Sequence, residues 1–383
     1  MPENKDNKIL NVPNLRFPEF EGEWEKYKVG DFGKIITGNT PPTKDIENYE
    51  NGQYLWVSPA DLGLLKSITE TKTRLSKKGF DKTRALPAGS VLVTCIGSTI
   101  GKMGMTTRET STNQQINAIV VNKSNNNEFV YYAVQSAFPK YLSSIAVQAV
   151  PIISKSSFEL LPNYRPSIQE QEKIGRLFAL LDERIATQSK IIEDLKTLKS
   201  AISKKLLDND RWTTYKIQDI AKIGRGRVIS SVEIERQKHP LYPVYSSQTS
   251  NDGIMGYLDD YMFDDEYITW TTDGANAGTV FYRKGKFNCT NVCGTLKIQP
   301  KYDCYFVSLV LQQATQKYVS FNLANPKLMN NIMASIKIKM PDIEMQKQLS
   351  KIFQTLDSCL LVHQRTCDMY SREKQYLLCQ MFI

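Results

Sequence analysis

The sequence predicts an α+β chain in which two mixed α/β domains are separated by two long antiparallel, coiled-coil-like helices, the whole a pseudo-two-fold tandem duplication. Three observations carry this: an internal repeat, a helical apolar seam closing each copy, and strand-like runs in the variable interior of each copy.

The duplication rests on two anchors. Trp24-Glu25-Lys26-Tyr27-Lys28-Val29-Gly30-Asp31-Phe32 recurs 188 residues later as Trp212-Thr213-Thr214-Tyr215-Lys216-Ile217-Gln218-Asp219-Ile220, and Lys34, Ile35 and Gly38 then match Lys222, Ile223 and Gly226. A second block, PSIQEQEKIGRLFALLDERI from Pro166 to Ile185, returns at an offset of 175 as PDIEMQKQLSKIFQTLDSCL from Pro341 to Leu360. The second interior is therefore shorter by thirteen residues. Between the anchors Gly97-Ser98-Thr99-Ile100-Gly101 echoes Gly274-Ala275-Asn276-Ala277-Gly278, Thr112-Asn113 echoes Thr290-Asn291, and Pro151 echoes Pro326. Self-similarity of this kind marks a repeated structural unit. The expected divisions are globular parts at 1–165 and 209–340 and uniform tails at 166–208 and 341–383.

From Ile168 to Leu207 there is no proline, and apolar residues recur at Ile174, Phe178, Leu181, Ile185, Ile192, Leu195, Ile202 and Leu206. Spacing by three and four puts them on one face of a helix about 60 Å long. The second tail repeats the seam at Leu349, Phe353, Leu356, Leu360, Cys367, Tyr370, Leu377 and Met381. Pro166 and Pro341 stand where a helix tolerates a missing N–H, at its very start. Two helices with one apolar stripe each bury those stripes against one another, and a duplication favours the antiparallel arrangement. Gln188 and His363 interrupt both seams with polar residues, either a solvated edge of the seam or a layer that fixes register.

The globular parts read as β-rich. Leu92 to Ile96, Ile116 to Val121, Tyr267 to Thr271 and Thr295 to Ile298 suggest strands bounded by Gly and Asn turns, and short helices are expected near Phe129 to Gln135 and Phe306 to Gln313.

A chain of 383 residues with 41% apolar and 23% charged content can bury a large core and is not of the disordered class. MPENKDNKIL has no basic cluster followed by an apolar core, and no run approaches a membrane span, so a cytoplasmic protein is expected. Seven cysteines without pairing rhythm suit reduced thiols. Cys289, Cys293 and Cys304 lack a histidine nearby and read as buried thiols rather than a zinc set. Net charge is +9, and Lys+Arg against Asp+Glu is 20 to 16 in residues 1–167 and 16 to 13 in 209–342, so the excess sits on the globular parts. A polyanionic partner is the natural expectation.

Single-chain enzymes fit poorly. A DNA methyltransferase needs an adenine pocket of the Asn/Asp-Pro-Pro-Tyr/Phe kind, and Thr40-Pro41-Pro42-Thr43 has neither the amide nor the aromatic. Asp61 followed by Glu70-Thr71-Lys72 matches the loose carboxylate spacing of a metal-dependent nuclease, but only in one copy.

The amino-terminal LRFPEFEGEW (Leu15 to Trp24), the Gly-x-x-x-Gly followed by Thr-Asn in each half, and the duplicated Pro-x-Ile-x-x-Gln-x-x-x-x-x-x-Phe-x-x-Leu-Asp resemble type I restriction-modification specificity subunits over nearly the whole chain. The resemblance implies a non-catalytic, sequence-specific DNA-binding subunit with two target-recognition domains, each reading half of a bipartite site, and two spacer helices. It implies double-stranded DNA, two modification subunits and two restriction subunits as partners, and no membrane. S-adenosylmethionine for adenine-N6 methylation, ATP and magnesium belong to those partners, and no cofactor to this chain. Docking of the modification subunits on the spacers implies interface positions at Gln171, Phe178, Leu181, Asp182, Gln346, Phe353, Leu356 and Asp357. Cys359, Cys367 and Cys379 depart from the usual aliphatic or polar residues of the second spacer.

Phosphate contacts position such a protein and base-edge contacts specify it. In the first domain Lys66, Lys72, Arg74, Lys77, Lys78, Lys82 and Arg84 fall within nineteen residues, opposed there only by Glu70 and Asp81. The candidates among them are Lys72, Arg74, Lys77, Lys78, Lys82 and Arg84, a run that a solvated charged face would also explain. The second domain offers Arg225 and Arg227 between glycines, then Tyr242, Tyr245, Ser246, Ser247 and Gln248, then Arg283, Lys284 and Lys286. Gly224 and Gly226 would let backbone approach a phosphate. The acidic run Asp259 to Glu266 should face away from DNA.

Overall fold

A computed structural model describes residues 11–63, 65–144, 151–207, 209–320 and 325–383. The two seams form helices Ile168–Leu206 and Ile343–Met381, each of 39 residues. Both start one residue after a small polar side chain that caps them. Ser167 Oγ accepts from the Glu170 N–H at 3.3 Å and Asp342 Oδ1 from the Met345 N–H at 2.9 Å, satisfying donors that a helix start leaves open. Among the described residues, no helix is long and apolar enough to cross a membrane.

The chain forms two compact units whose boundaries fall inside both long helices: the first comprises residues up to Ile191 with His363–Ile383, the second Ile192–Val362. In the first unit a five-stranded sheet runs in the order Gly33–Thr37, Ile116–Val121, Val91–Thr94, Met103–Thr106, Ser67–Ile68. A three-stranded sheet orders Thr73–Leu75, Tyr54–Val57, Thr110–Thr112, the last two parallel. Val91–Thr94 is buried along its whole length, which explains its unbroken aliphatic and β-branched run. The helix Asn127–Ser144 covers the larger sheet, and its Phe129, Tyr132 and Phe138 join Phe178 of one long helix and Leu378, Met381 and Phe382 from the end of the other in one core.

The second unit repeats the plan with a four-stranded sheet, Ala221–Arg225, Cys293–Ile298, Glu266–Thr271, Val280–Lys284, and a three-stranded one, Ile254–Leu258, Tyr242–Tyr245, Asn288–Cys289. Its covering helix is Cys304–Ala314, and its core takes Phe353 from one long helix and Ile202, Leu206 and Leu207 from the end of the other. Within each unit the long helices run antiparallel. In the first, Lys374 binds Asp182 at 2.5 Å while His363 Nδ1 lies 2.7 Å from Gln188 Oε1.

Backbone hydrogen bonds show how closely the units correspond. Val29 N–H donates to Leu161 O and Ile217 N–H to Ile336 O; Gly97 N–H to Pro151 O and Gly274 N–H to Pro326 O; Gly38 N–H to Ile116 O and Gly226 N–H to Cys293 O. One sequence match shifts by a residue. Asn113 N–H donates to Val57 O where Thr290 N–H donates to Tyr245 O, so Asn113 corresponds to Thr290 and not Thr112. The length difference is concentrated before Thr94, where the first unit holds the two-residue strand Ser67–Ile68 that the second lacks.

Candidate nucleic-acid interface

In each unit the ends of corresponding strands converge on one rim. In the first, Asn39 N–H donates to Thr112 O at 2.9 Å, Trp56 Nε1 to Asn39 O at 3.1 Å, and Thr40 Oγ1 to Gln114 Oε1 at 2.5 Å. Lys82 and Arg84 belong to this rim: Asn39 Nδ2 donates to Lys82 O, Arg84 N–H donates to Asn39 Oδ1, and the Arg84 guanidinium donates to Thr37 O. Both side chains are exposed. Most of the other basic residues of that stretch are matched by acids. Lys77 pairs with Asp81, Lys78 with Glu47 and Asp45, and Arg74 lies 3.7 Å from Glu70. Lys82 also donates to Asp45 at 3.0 Å, which holds that carboxyl below the ordinary carboxylate range. Lys66 turns inward to Glu128 and the Tyr132 hydroxyl. Lys72 is exposed and uses its backbone N–H to bind Asp61. Asp45 and Glu47 lie on a separate loop some thirty residues upstream, so counting charge along the local run could not reveal them.

In the second unit Arg227 N–H donates to Cys289 O at 3.2 Å, and the exposed side chains of Arg225 and Arg227 stand at the rim. Arg225 is 3.6 Å from Asp273, and Arg227 is gripped by both oxygens of Glu233. That pairing raises the Arg227 pKa and lowers that of Glu233. The strand ending at Tyr245 leads into Ser246, Ser247 and Gln248, half-buried beside Asn276, whose Nδ2 donates to Ser247 O at 3.3 Å. Lys327, 3.7 Å from Asp273, completes the cluster. Asn276, Asp273 and Lys327 escaped the sequence reading, although the Gly97–Gly101 and Pro151 echoes mark their positions. Lys284 pairs with Glu266 at 3.1 Å, and Lys286 lies over the Tyr261 ring. Arg283 is not at the surface: its side chain is 4% exposed. Gly226 serves the chain rather than a ligand, because a Cβ there would overlap the carbonyl oxygens of Cys289 and Thr290, as one at Gly38 would overlap those of Thr112 and Asn113. Asp259 caps the backbone N–H groups of Lys238 and His239, and Asp265 binds Lys297.

The eight helix positions expected at a partner interface are engaged inside the chain. Gln171 Oε1 accepts from Asn126 N–H at 3.0 Å while its Nε2 donates to Pro166 O at 3.0 Å. Gln346 does the same with Asp303 N–H and Pro341 O. Phe178 and Phe353 are fully buried, and Leu181 and Leu356 pack against the same cores. Asp182 accepts from the Tyr132 hydroxyl at 2.6 Å and from Lys374; Asp357 accepts from the Tyr305 hydroxyl at 2.5 Å and from Lys199. Burial and the neighbouring carboxylate push both phenols well above their ordinary range. These side chains fasten a domain to its helices, and fully buried ones cannot also meet another subunit.

Asp61 Oδ2 accepts from the Ser58 N–H and hydroxyl, and Oδ1 from the Lys72 N–H, so it closes a turn. Among the described residues no group of three or more His, Cys, Asp and Glu could hold a metal ion. Burial raises the Cys293 thiol to about 11 and that of Cys304 to about 12.

The profile of the type I restriction modification DNA specificity domain matches this chain twice, at residues 21–197 and 209–367. The chain belongs to that family. A putative type I specificity subunit of Mycoplasma pneumoniae is 36% identical over 223 residues, 57% of this chain and 93% of the relative. The specificity subunit of the type I restriction enzyme MpnII from the same organism is 39% identical over 178 residues, 46% of this chain and 53% of that one. In fold, the crystal structure of the type I S subunit from M. genitalium superposes with a TM-score of 0.74 at 17% identity, covering 97% of this chain and 99% of that one. As a type I specificity subunit the chain is the sequence-specific DNA-recognition component that directs methylation or restriction by partner subunits, and is not itself the enzyme.

Proposed function

We propose that this specificity subunit reads a split DNA target, one half-site at the rim of each unit. The observation that supports it is the doubly built rim: one hydrogen-bonded frame underlies Asn39, Thr40 and Gln114 in the first unit and Arg227, Val228 and Asn291 in the second. Conserved backbone under divergent side chains is what two readers of different sequences require. Lys82, Arg84, Arg225 and Arg227 supply phosphate or guanine contacts, and Ser246, Ser247 and Gln248 supply base-edge donors and acceptors. Lys72, Arg74, Lys77, Lys78 and Lys284 are outer contacts, the paired ones exchanging an exposed carboxylate for phosphate.

In this reading two modification subunits, holding S-adenosylmethionine and methylating adenine N6, and two restriction subunits, using ATP and magnesium, complete the complex in the cytoplasm. They meet the helices on faces away from the seam, where Leu180, Leu198, Val362 and Met369 are exposed. Sequencing the methylated genome of a strain whose only specificity subunit is this chain tests the proposal. Methyladenine in two short sequences separated by a fixed gap is expected; a single uninterrupted motif would refute it.

A further inference from the structure

A buried arginine in a DNA-recognition protein needs a reason, since a guanidinium taken from water must be fully partnered. Arg283 is partnered on every side. Its guanidinium carbon lies 3.6 Å from the Tyr245 ring centroid and 4.4 Å from that of Phe281. NH1 donates to Asp252 Oδ2 at 2.6 Å and NH2 to Asp252 O at 2.8 Å, while Nε lies 3.4 Å from Thr269 Oγ1. The backbone it grips is itself unusual: Asn251, Asp252 and Gly253 take φ of 50°, 53° and 81°, left-handed values that only Gly and, less readily, Asn and Asp adopt. Further ties come from Ser246 N–H to Gly253 O at 2.9 Å and Gln248 Nε2 to Ile254 O at 2.5 Å. The closed loop is thus Ser246–Gly253, which begins at the rim. Among the described residues the first unit has no such device. The strand Met103–Thr106 there places Thr106 at the corresponding position, and its hydroxyl serves the turn at Pro87 and Ser90 instead.

We propose that Arg283 is the positioning residue of a reading loop peculiar to the second unit: it fixes Ser246–Gly253 in one shape, so that Ser246, Ser247, Gln248 and Asn251 meet DNA base edges, and does not touch DNA itself. This rests on the reading of the rim given above. A loop with left-handed residues at its tip does not hold one geometry unaided, and hydrogen-bond readout of a base tolerates little displacement. A cation stacked between two rings and hydrogen-bonded to both a side chain and a carbonyl of the tip supplies that constraint.

The test uses the full-length chain with its modification subunits, as wild type, R283K, R283M and D252N, and reads the methylation motif genome-wide together with the melting temperature of each chain. A split wild-type motif upholds the bipartite reading independently of the variants. R283M is expected to leave one half of the motif unchanged and to make at least one position of the other degenerate, with discrimination there falling about tenfold, within what one base contact supplies. R283K should recover part of that loss. D252N removes a carboxylate whose side chain is 65% exposed and should relax the same position more weakly. A purely structural arginine would lower the melting temperature and methylation at all sites alike, with no change of motif. A split motif unchanged in every variant, or both halves relaxed equally, overturns the proposal. If R283M does not fold, D252N decides, since relaxation of that half alone supports the proposal and an unaltered motif refutes it.

Discussion

At the rim of the first unit stand Asn39, Thr40 and Gln114; at the same backbone positions in the second stand Arg227, Val228 and Asn291. Beneath them the supporting frame repeats. Gly38 and Gly226 each press against two carbonyl oxygens, Phe178 and Phe353 each fill a core, and the carboxylates Asp182 and Asp357 each tie a tyrosine to a lysine of the facing long helix. The difference teaches where this molecule is free to vary. A side chain that completes the frame has partners on all sides, whereas one at the rim meets solvent on one side and can be exchanged without disturbing the frame. The second unit also adds a constraint not found among the described residues of the first, the loop clamped by Arg283.

The comparison breaks most readily at the frame. F178A and F353A should each cost about 3–5 kcal/mol, read as denaturant or thermal unfolding of the full chain. Similar costs at both sites mark one shared frame, and a cost under about 1 kcal/mol at either would show that the second core is not organised as the first. The carboxylate ties should separate the units more finely. Asp182 and Lys374 are 18% and 15% exposed, Asp357 and Lys199 40% and 24%. D182A should therefore lose about 2–3 kcal/mol, leaving the Lys374 ammonium short of a partner in a drier site. D357A should lose about 1 kcal/mol, since solvent replaces more of what is removed. Equal losses would mean that the difference in exposure is without energetic consequence. Smallest is the effect of E233Q. Releasing Arg227 from its carboxylate should tighten DNA binding slightly and steepen its salt dependence by about one counterion, and titrations at several salt concentrations would show it. An unchanged slope would mean that Arg227 does not reach a phosphate.

Much of this frame was legible because it is periodic. The two seams marked both long helices, the first expected over Ile168 to Leu207 and spanning Ile168–Leu206, and the glycine and proline echoes marked equivalent turns. The helix Asn127–Ser144 was read too short because it contains Pro139, a residue that ordinarily ends a helix; Phe138 and Tyr141, buried on either side of it, hold the helix in place. The strand Ser67–Ile68 has two residues and no pattern to detect. Side-chain partners were the least legible. Asp182 and Lys374 are 192 residues apart and Lys78 and Glu47 31, so a local charge count does not show these pairs. Arg283 was read as a surface cation because composition records its charge but not the Tyr245, Phe281 and Asp252 that surround it.

The central claim, that each unit's rim reads its own half-site, is tested most directly by the genome-wide methylation motif of a strain whose only specificity subunit carries both R225A and R227A. Both side chains are exposed and belong to no core, so the frame should survive. One half of the motif is expected to be relaxed or lost while the sequence of the other half and the gap stay as in the wild type. Equal relaxation of both halves, or an unaltered motif at full methylation, would contradict it.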